Sequence, residues 1–329
     1  MMKHVGERIA SFVIAVFAWL SVCGVALGQV GQPAQGQIEL QGAVTPVMTE
    51  IRYFHDMVNI IIIGIVLFVL ALLLWVIIRY NERSNPTPSK FSHNTLIEVA
   101  WTVVPILILV YIGVFSFKLL FMQYTYPKPD VTIKAIGNAW FWEHEYLDND
   151  FTVTSNMVRD VDVLVKEIGE DKFEEKYGHL EGLERTKALY KDAQPLYEKH
   201  GLVRQLSVDN EIAVPVDAVV HMLVTSADVI HAWTIPSFGS KTQAVPGRLT
   251  ATWFKATEVG VYYGQCSVLC GKEHASMPIA VRVVPQEAYD RWVAAAKNRD
   301  WENAKSILLA ATETTSDSKL ADAGAVVEN

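Results

Sequence analysis

Cysteine is nearly absent from this sequence. Its 329 residues include three cysteines, and one of them, Cys23, lies in an apolar run near the N-terminus. The other two are Cys266 and Cys270. So few cysteines exclude a disulfide-rich scaffold, and the lack of a Cys-x-x-Cys-His motif excludes a covalently attached c-type haem.

Basic residues are also few. The chain has 28 lysines and arginines against 36 aspartates and glutamates, for a net charge of −8. Most of the excess falls after residue 123. This balance argues against a nucleic-acid partner and indicates that any partner attracted by charge is basic.

The first of three long apolar runs covers residues 9–27 and follows Lys3 and Arg8. It ends with Ala26 and Gly28 at the −3 and −1 positions of a signal-peptidase site. We therefore predict that residues 1–28 are a cleaved signal peptide. An uncleaved third membrane helix is the main alternative, and a lipoprotein anchored at Cys23 is a weaker one.

The other two runs, residues 57–78 and 99–117, are each long enough to cross the ~30 Å hydrocarbon layer of a membrane. The loop between them is rich in basic residues: Arg79, Arg83 and Lys90 stand against Glu82. By the positive-inside rule this loop is cytoplasmic. Residues 29–123 are thus predicted to form a transmembrane hairpin in the cell inner membrane, with everything after it in the periplasm.

Residues 124–299 are predicted to form an all-β domain. Short runs rich in β-branched and aromatic residues are typical of a small sandwich or barrel, and they lie at 131–146, 212–227, 248–256, 260–267 and 278–285. Residues 158–201 are instead charged and helix-forming, which predicts a helical insertion with a solvated face or a partner surface. The small, polar tail, residues 300–329, is predicted to be disordered.

One segment, "QCSVLCGKEHASMP", concentrates metal-binding side chains. It contains Cys266, Cys270, His274 and Met277, and His231 follows an earlier apolar run. Thiolate, thioether and imidazole ligands together suit copper. Two thiolates four residues apart can bridge two copper ions, each with one histidine, with Met277 and a backbone carbonyl completing the set. A Cys266–Cys270 disulfide and a mononuclear zinc site remain alternatives.

With these motifs in order, the sequence resembles subunit II of the haem–copper cytochrome c oxidases of the aa3 type. The stretches "FSHNTLIEVAWTVVPILIL", "AIGNAWFWEHEY", "DVIHAWTIPSFGSK" and "AVPGRL" carry the resemblance together with the copper loop. It implies a membrane-anchored fold with a two-helix hairpin and a cupredoxin-like β-barrel. It also implies a binuclear copper A centre held by His231, Cys266, Cys270, His274, Met277 and the backbone carbonyl of Val268.

The resemblance assigns further roles. Trp140 takes the position where the family receives its electron from cytochrome c, and Glu98 the position of a carboxylate at the mouth of a proton channel. Four acidic residues stand where the family attracts basic cytochrome c: Glu145, Asp148, Asp209 and Asp228. The implied partners are cytochrome c, membrane lipid, subunit III and subunit I, which carries haem a and the haem–copper centre that reduces O2.

Two positions depart from the family pattern. Val268 stands where the family usually has a glutamate that helps bind Mg2+, and Gln243 stands where it often has an acid. These changes predict a normal copper centre beside a weakened Mg2+ site. Three other functions are alternatives: a copper A domain of a nitrous oxide reductase, a quinol-oxidase relative, and a membrane-anchored copper-delivery or storage protein.

Overall fold

The computed structural model describes residues 30–87 and 89–312. The predicted signal peptide, residues 1–28, lies outside them. Within them the chain forms two long apolar helices, a β-domain, a three-helix insertion and two C-terminal helices.

The two apolar helices are α1, Pro46–Arg79, and α2, Thr95–Tyr124. Both are longer than the apolar runs that predicted them, because hydropathy detects only the lipid-facing part of a helix. At about 1.5 Å per residue, the 34 residues of α1 span about 50 Å, more than the hydrocarbon layer. The extra turns carry polar groups, such as Glu50 and Lys118, whose charged atoms lie 3.7 Å apart.

The start of α1 is attached to the β-domain. Thr45 caps the helix by accepting a hydrogen bond from the backbone N–H of Met48, and its hydroxyl donates to the carbonyl of Phe238 at 2.8 Å. Val47 and Met48 are buried there. The membrane hairpin and the β-domain are therefore in direct contact.

The β-domain contains ten strands in three sheets, of five, three and two strands. The strand order in the large sheet is β3-β2-β1-β5-β8, in the second β4-β10-β9 and in the third β6-β7. The strands are β1 Val131–Asn138, β2 Phe141–Tyr146, β3 Phe151–Ser155, β4 Ile212–Pro215, β5 Val219–Ser226, β6 His231–Ile235, β7 Ser240–Ala244, β8 Thr250–Lys255, β9 Gly260–Gln265 and β10 Pro278–Val284.

Alternating sequence patterns produce this arrangement. In β1 and β5 every second residue is buried, so that each strand turns one face to the core. All residues of β10 are buried, as expected for a strand covered on both faces. Large aromatic side chains, including Trp142, Trp233 and Phe254, fill the space between the sheets. The predicted membrane-anchored, cupredoxin-like all-β fold is confirmed.

The insertion consists of α3, Asp160–Ile168, α4, Glu170–Tyr177, and α5, Gly182–Lys199. It has a small core of its own, formed by Val163, Leu164, Phe173, Tyr177, Ala193 and Tyr197. An antiparallel bridge between Met157 and Val208 joins its two ends. The helices lie within the predicted range of 158–201.

The C-terminal tail differs from its prediction. Helix α6 covers Gln286–Lys297, and a further helix, α7, covers residues 301–312, which we expected to be disordered. Ala304 and Leu308, four residues apart, are buried in the main core. A short apolar stripe is enough to dock a helix on an existing core, and the polar composition of the tail concealed it. Residues 313–329 lie outside the described part.

Candidate metal centre

His231 is the first residue of β6, and its ring is fully buried. Its Nδ1 lies 3.9 Å from Sγ of Cys266, and its Nε2 lies 2.8 Å from Oδ1 of Asp228. A Cβ on Gly137 would lie 2.7 Å from the His231 ring, so that only glycine leaves room for the ring there. The fold thus presents Nδ1 to the sulfur atoms and fixes the opposite nitrogen.

The two cysteines lie where the chain leaves β9. Cys266 and Cys270 are both buried and both free, and their sulfur atoms are 3.8 Å apart. Together with the Nδ1 atom of His231, these sulfurs all lie within 4.8 Å of one another. The two thiols do not form the disulfide that we had kept as an alternative.

The other predicted ligands surround this pair. His274 starts a short 3-10 turn, and its Nδ1 lies 3.5 Å from Sγ of Cys270. The carbonyl oxygen of Val268 lies 3.3 Å from Sγ of Cys266. Met277 is buried and accepts a hydrogen bond from the backbone N–H of Cys266 at 3.0 Å. Both imidazoles therefore turn Nδ1 towards a sulfur.

The two thiols have very different proton affinities. Burial opposes ionisation of Cys266, but hydrogen bonds from His231 and from the backbone lower its pKa below the ordinary value. Burial, and then the neighbouring Cys266 thiolate, raise the pKa of Cys270 above its ordinary value. One thiolate at this site disfavours a second, so that a pair of thiolates needs positive charge beside it.

The donor set fits copper. Two thiol sulfurs and two imidazole nitrogens are soft to intermediate donors, and no carboxylate contacts the two sulfurs in the described part of the chain. Met277, the predicted thioether ligand, is buried in the same core cluster as both cysteines. A metal cation also supplies the charge that the two thiolates require. Zinc would use the same two cysteines and two histidines, but a thioether such as that of Met277 is not among its usual ligands.

Trp140 lies against the loop that carries Cys270. Its indole Nε1 donates to the carbonyl oxygen of Cys270 at 3.1 Å, and the side chain is half-buried. Gly271 has a φ of +122°, and a Cβ there would lie 3.0 Å from the indole. The ammonium of Lys272 lies 5.7 Å from the indole ring. The sequence-predicted tryptophan is therefore joined to a cysteine of the site by one hydrogen bond.

Asp228 has a different position from the other predicted docking acids. Its Oδ1 accepts from His231, and its Oδ2 accepts from the backbone N–H of Ala139 at 2.6 Å. Glu145 instead pairs with Lys134, while Asp148 accepts from the backbone N–H of Thr132 in β1 and Asp209 from that of Asn156, just after β3. Asp228 thus orients the imidazole of His231, a predicted metal ligand, which is a role that the sequence analysis did not assign to it.

Glu98 lies far from this centre. It is in the first turn of α2, and the 26 residues from there to Tyr124 at the β-domain correspond to about 40 Å of helix. Val268 and Gln243 lie much closer to each other. Gln243 pairs with Ala232 in the β6–β7 ladder, and Ser267, the neighbour of Val268, donates to the carbonyl of Ala232.

Sequence reasoning missed two residues that shape the site. Gly137 makes room for the His231 ring, and the fully buried Trp142 meets the same ring edge-on with centroids 6.0 Å apart. The alternation of the "WFWEHEY" strand places Trp142 inward. For Gly137 the only signal was a glycine inside a strand, which often marks a close approach.

The chain matches two descriptions of known families. Residues 33–119 match "Cytochrome C oxidase subunit II, transmembrane domain", and residues 183–284 match "Cytochrome C oxidase subunit II, periplasmic domain". Together these matches include α1, most of α2 and the loop that carries Cys266 and Cys270.

Individual members of this family are similar to this chain over most of its length. The probable cytochrome c oxidase subunit 2 of Rickettsia bellii is 42% identical over 281 residues, which cover 85% of this chain and 91% of that protein. Cytochrome c oxidase subunit 2 of Cereibacter sphaeroides is 38% identical over 278 residues, 83% of this chain and 84% of its own. The crystal structure of the periplasmic domain of subunit II of the Bradyrhizobium japonicum cytochrome oxidase is 42% identical, with a TM-score of 0.40 over 53% of this chain and 99% of that one. By the extent of its sequence identity, this chain belongs to the cytochrome c oxidase subunit II family.

Proposed function

We propose that this chain is the electron-accepting subunit of a proton-pumping cytochrome c oxidase. In this proposal it receives electrons from cytochrome c on the periplasmic side and passes them to the haem of subunit I, where O2 is reduced. The observation that carries the proposal is the pair of sulfur atoms 3.8 Å apart, each with a histidine Nδ1 within 3.9 Å.

His231, Cys266, Cys270, His274, Met277 and the carbonyl of Val268 would hold the binuclear copper A centre. When bound, the two copper ions supply a site that accepts and releases one electron at a time. The chain contributes rigidity: the cysteines and His231 are buried, and Asp228 fixes the orientation of one imidazole. A rigid ligand set limits the rearrangement that accompanies electron transfer.

Trp140 is proposed to be the point where the electron from cytochrome c arrives. Its half-buried indole and its hydrogen bond to the Cys270 carbonyl connect the surface of the domain with the ligand loop. Glu145, Asp148 and Asp209 are proposed to attract the basic donor, and Asp228 adds its charge to theirs. Such rim charges act mainly on the rate of association.

The proposed location is the cell inner membrane, with two spans and the β-domain in the periplasm. Subunits I and III and membrane lipid are the expected neighbours of the spans. Glu98, at the opposite end of α2 from the β-domain, is proposed to lie at the mouth of a proton channel on the cytoplasmic side. We also propose that the Mg2+ site expected near subunit I is weakened, because Val268 and Gln243 provide no carboxylate.

The test is to load the detergent-purified full-length chain with copper and to record its copper content and EPR spectrum. Two copper ions per chain with a mixed-valence signal are expected. A mononuclear signal would contradict the proposal. Two ions that exchange readily with a chelator would instead indicate copper delivery or storage.

A further inference from the structure

We propose that the helical insertion positions the copper-binding loop, and that an ion pair between Arg159 and Glu273 transmits this effect to His274. The inference rests on the proposed function, in which His274 is a copper ligand. The proposed metal-binding motif does not itself include the insertion, residues 158–201. The inference gives this insertion a role.

The two histidines of the site are supported unequally. His231 is fully buried, and its outer nitrogen is held by Asp228 at 2.8 Å. His274 is half-buried, and among the described residues no carboxylate or carbonyl accepts a hydrogen bond from its ring. A metal-bound histidine usually has such an outer partner. The position of His274 therefore depends on the loop that carries it.

Glu273 controls that loop from the neighbouring position. Its backbone carbonyl accepts from the N–H of Ser276 at 2.8 Å, which closes the turn that contains His274. Its side chain accepts from Nη2 of Arg159 at 2.7 Å. One residue thus connects the turn of His274 with a segment 114 positions earlier in the chain.

Arg159 is itself well anchored. It is the residue before α3, its backbone N–H donates to Asp162 at 2.7 Å, and its carbonyl accepts from Val163. Val163 and the next residue, Leu164, are buried in the insertion's own core. The guanidinium therefore extends from a fixed point on a separately packed unit.

A second contact reaches the other end of the loop from the segment just after the insertion. The side-chain amide of Gln265, the residue before Cys266, donates to the carbonyl of Gln205 at 3.2 Å. Between the two contacts lies a cleft of about 470 Å³, whose lining includes Tyr197 and Ser276. Because this cleft separates the insertion from the loop, the Arg159–Glu273 ion pair connects the two across it.

The expected effect is modest. The side chains of Arg159 and Glu273 are 55% and 32% exposed, and an exposed pair changes an equilibrium by at most about fivefold. The chain contains a closely matched control. Lys176 and Asp192 form a 2.8 Å pair inside the insertion, with exposures of 56% and 33%, and their contact does not involve the copper loop.

The experiment uses the detergent-purified full-length chain loaded with copper. Two quantities are measured: the rate of copper loss to a Cu(I) chelator and the copper hyperfine splitting in EPR. The variants compared are Arg159→Gln, Glu273→Gln, the double variant and the control Lys176→Gln. We expect each single variant at the ion pair to lose copper about two- to fivefold faster, with altered hyperfine splitting. The double variant should be no faster than either single one, and Lys176→Gln should match the unaltered protein.

Exchanging the charges, with Arg159→Glu and Glu273→Arg together, should restore most of the original rate. If both single variants release copper at the rate of the Lys176→Gln control and show an unchanged spectrum, the inference is wrong. If the unaltered protein shows no two-copper signal, the proposed function fails instead. The two failures are therefore distinguishable.

Discussion

Asp228→Asn should weaken copper binding, although Asp228 lies in a loop where it resembles an ordinary surface acid. When Nδ1 of His231 binds metal, Nε2 carries the proton and donates it to Oδ1 of Asp228, 2.8 Å away. Oδ1 also accepts from the N–H of Val229, and Oδ2 from that of Ala139, both at 2.6 Å. Both carboxylate oxygens thus act as acceptors.

An asparagine cannot satisfy all three donors. If the amide oxygen of the asparagine faces His231, its NH2 group faces the N–H of Ala139, and two donors meet there. In the reverse orientation the NH2 group faces the Nε2–H of His231, and two donors meet at that position instead. Loss of an outer partner of a metal-bound histidine typically reduces affinity by about 10–100-fold. Since the Asp228 side chain is 36% exposed and water can replace part of the loss, we expect about tenfold, or about 1.4 kcal/mol.

Asp209→Asn is the matched control. Asp209 also accepts two backbone hydrogen bonds, from Asn156 and Asn210, and it was predicted to serve the same docking role. Each variant removes one negative charge, so both should slow association with cytochrome c to a similar extent at low salt. Only Asp228→Asn should weaken copper binding in a competition titration with a chelator. If both variants bind copper as tightly as the unaltered protein, the orienting role of Asp228 is refuted.

Three further outcomes test other parts of the site. Trp140→Leu should slow electron transfer from cytochrome c while leaving its binding nearly intact, in stopped-flow and binding measurements; a change in affinity alone would contradict the assigned role. Cys266→Ser or Cys270→Ser should reduce the copper content from two ions to one. Met277→Leu should keep both ions and shift the reduction potential, because a weakly bound thioether changes the potential more than it changes the affinity for copper. In the purified complex, a Mn2+ EPR signal should be weak and should strengthen with Val268→Glu; a full-strength signal unaffected by that change would show that the valine is unimportant for the second metal.

The sequence predicted the parts of the structure whose signal is contained in one continuous stretch. The membrane helices follow from long apolar runs, and four of the proposed copper-ligating side chains lie within twelve residues. The insertion was visible because its charged, helix-forming composition differs from that of the strands around it. In each case local chemistry determines the local structure.

Features that depend on tertiary contacts were harder to predict. Strands β6 and β7 have five residues each, too few for a clear alternation, and β7 has only two buried positions. Helix α7 is held by the core on which it docks. The role of Asp228 depends on how the loop before β6 folds back on His231, and no sequence pattern distinguishes that carboxylate from Asp209.

Val268 shows why a change within a metal-binding motif need not disturb the metal. The atom near Cys266 at this position is the backbone carbonyl, at 3.3 Å, which any residue would provide. The side chain of residue 268 can therefore vary without changing the proposed copper ligands. Its identity matters instead for the proposed Mg2+ site. Gln243, which shares contacts with the same stretch of β6, is also uncharged. Under the proposed function, the two neutral residues Val268 and Gln243 weaken the Mg2+ site without changing the copper ligands.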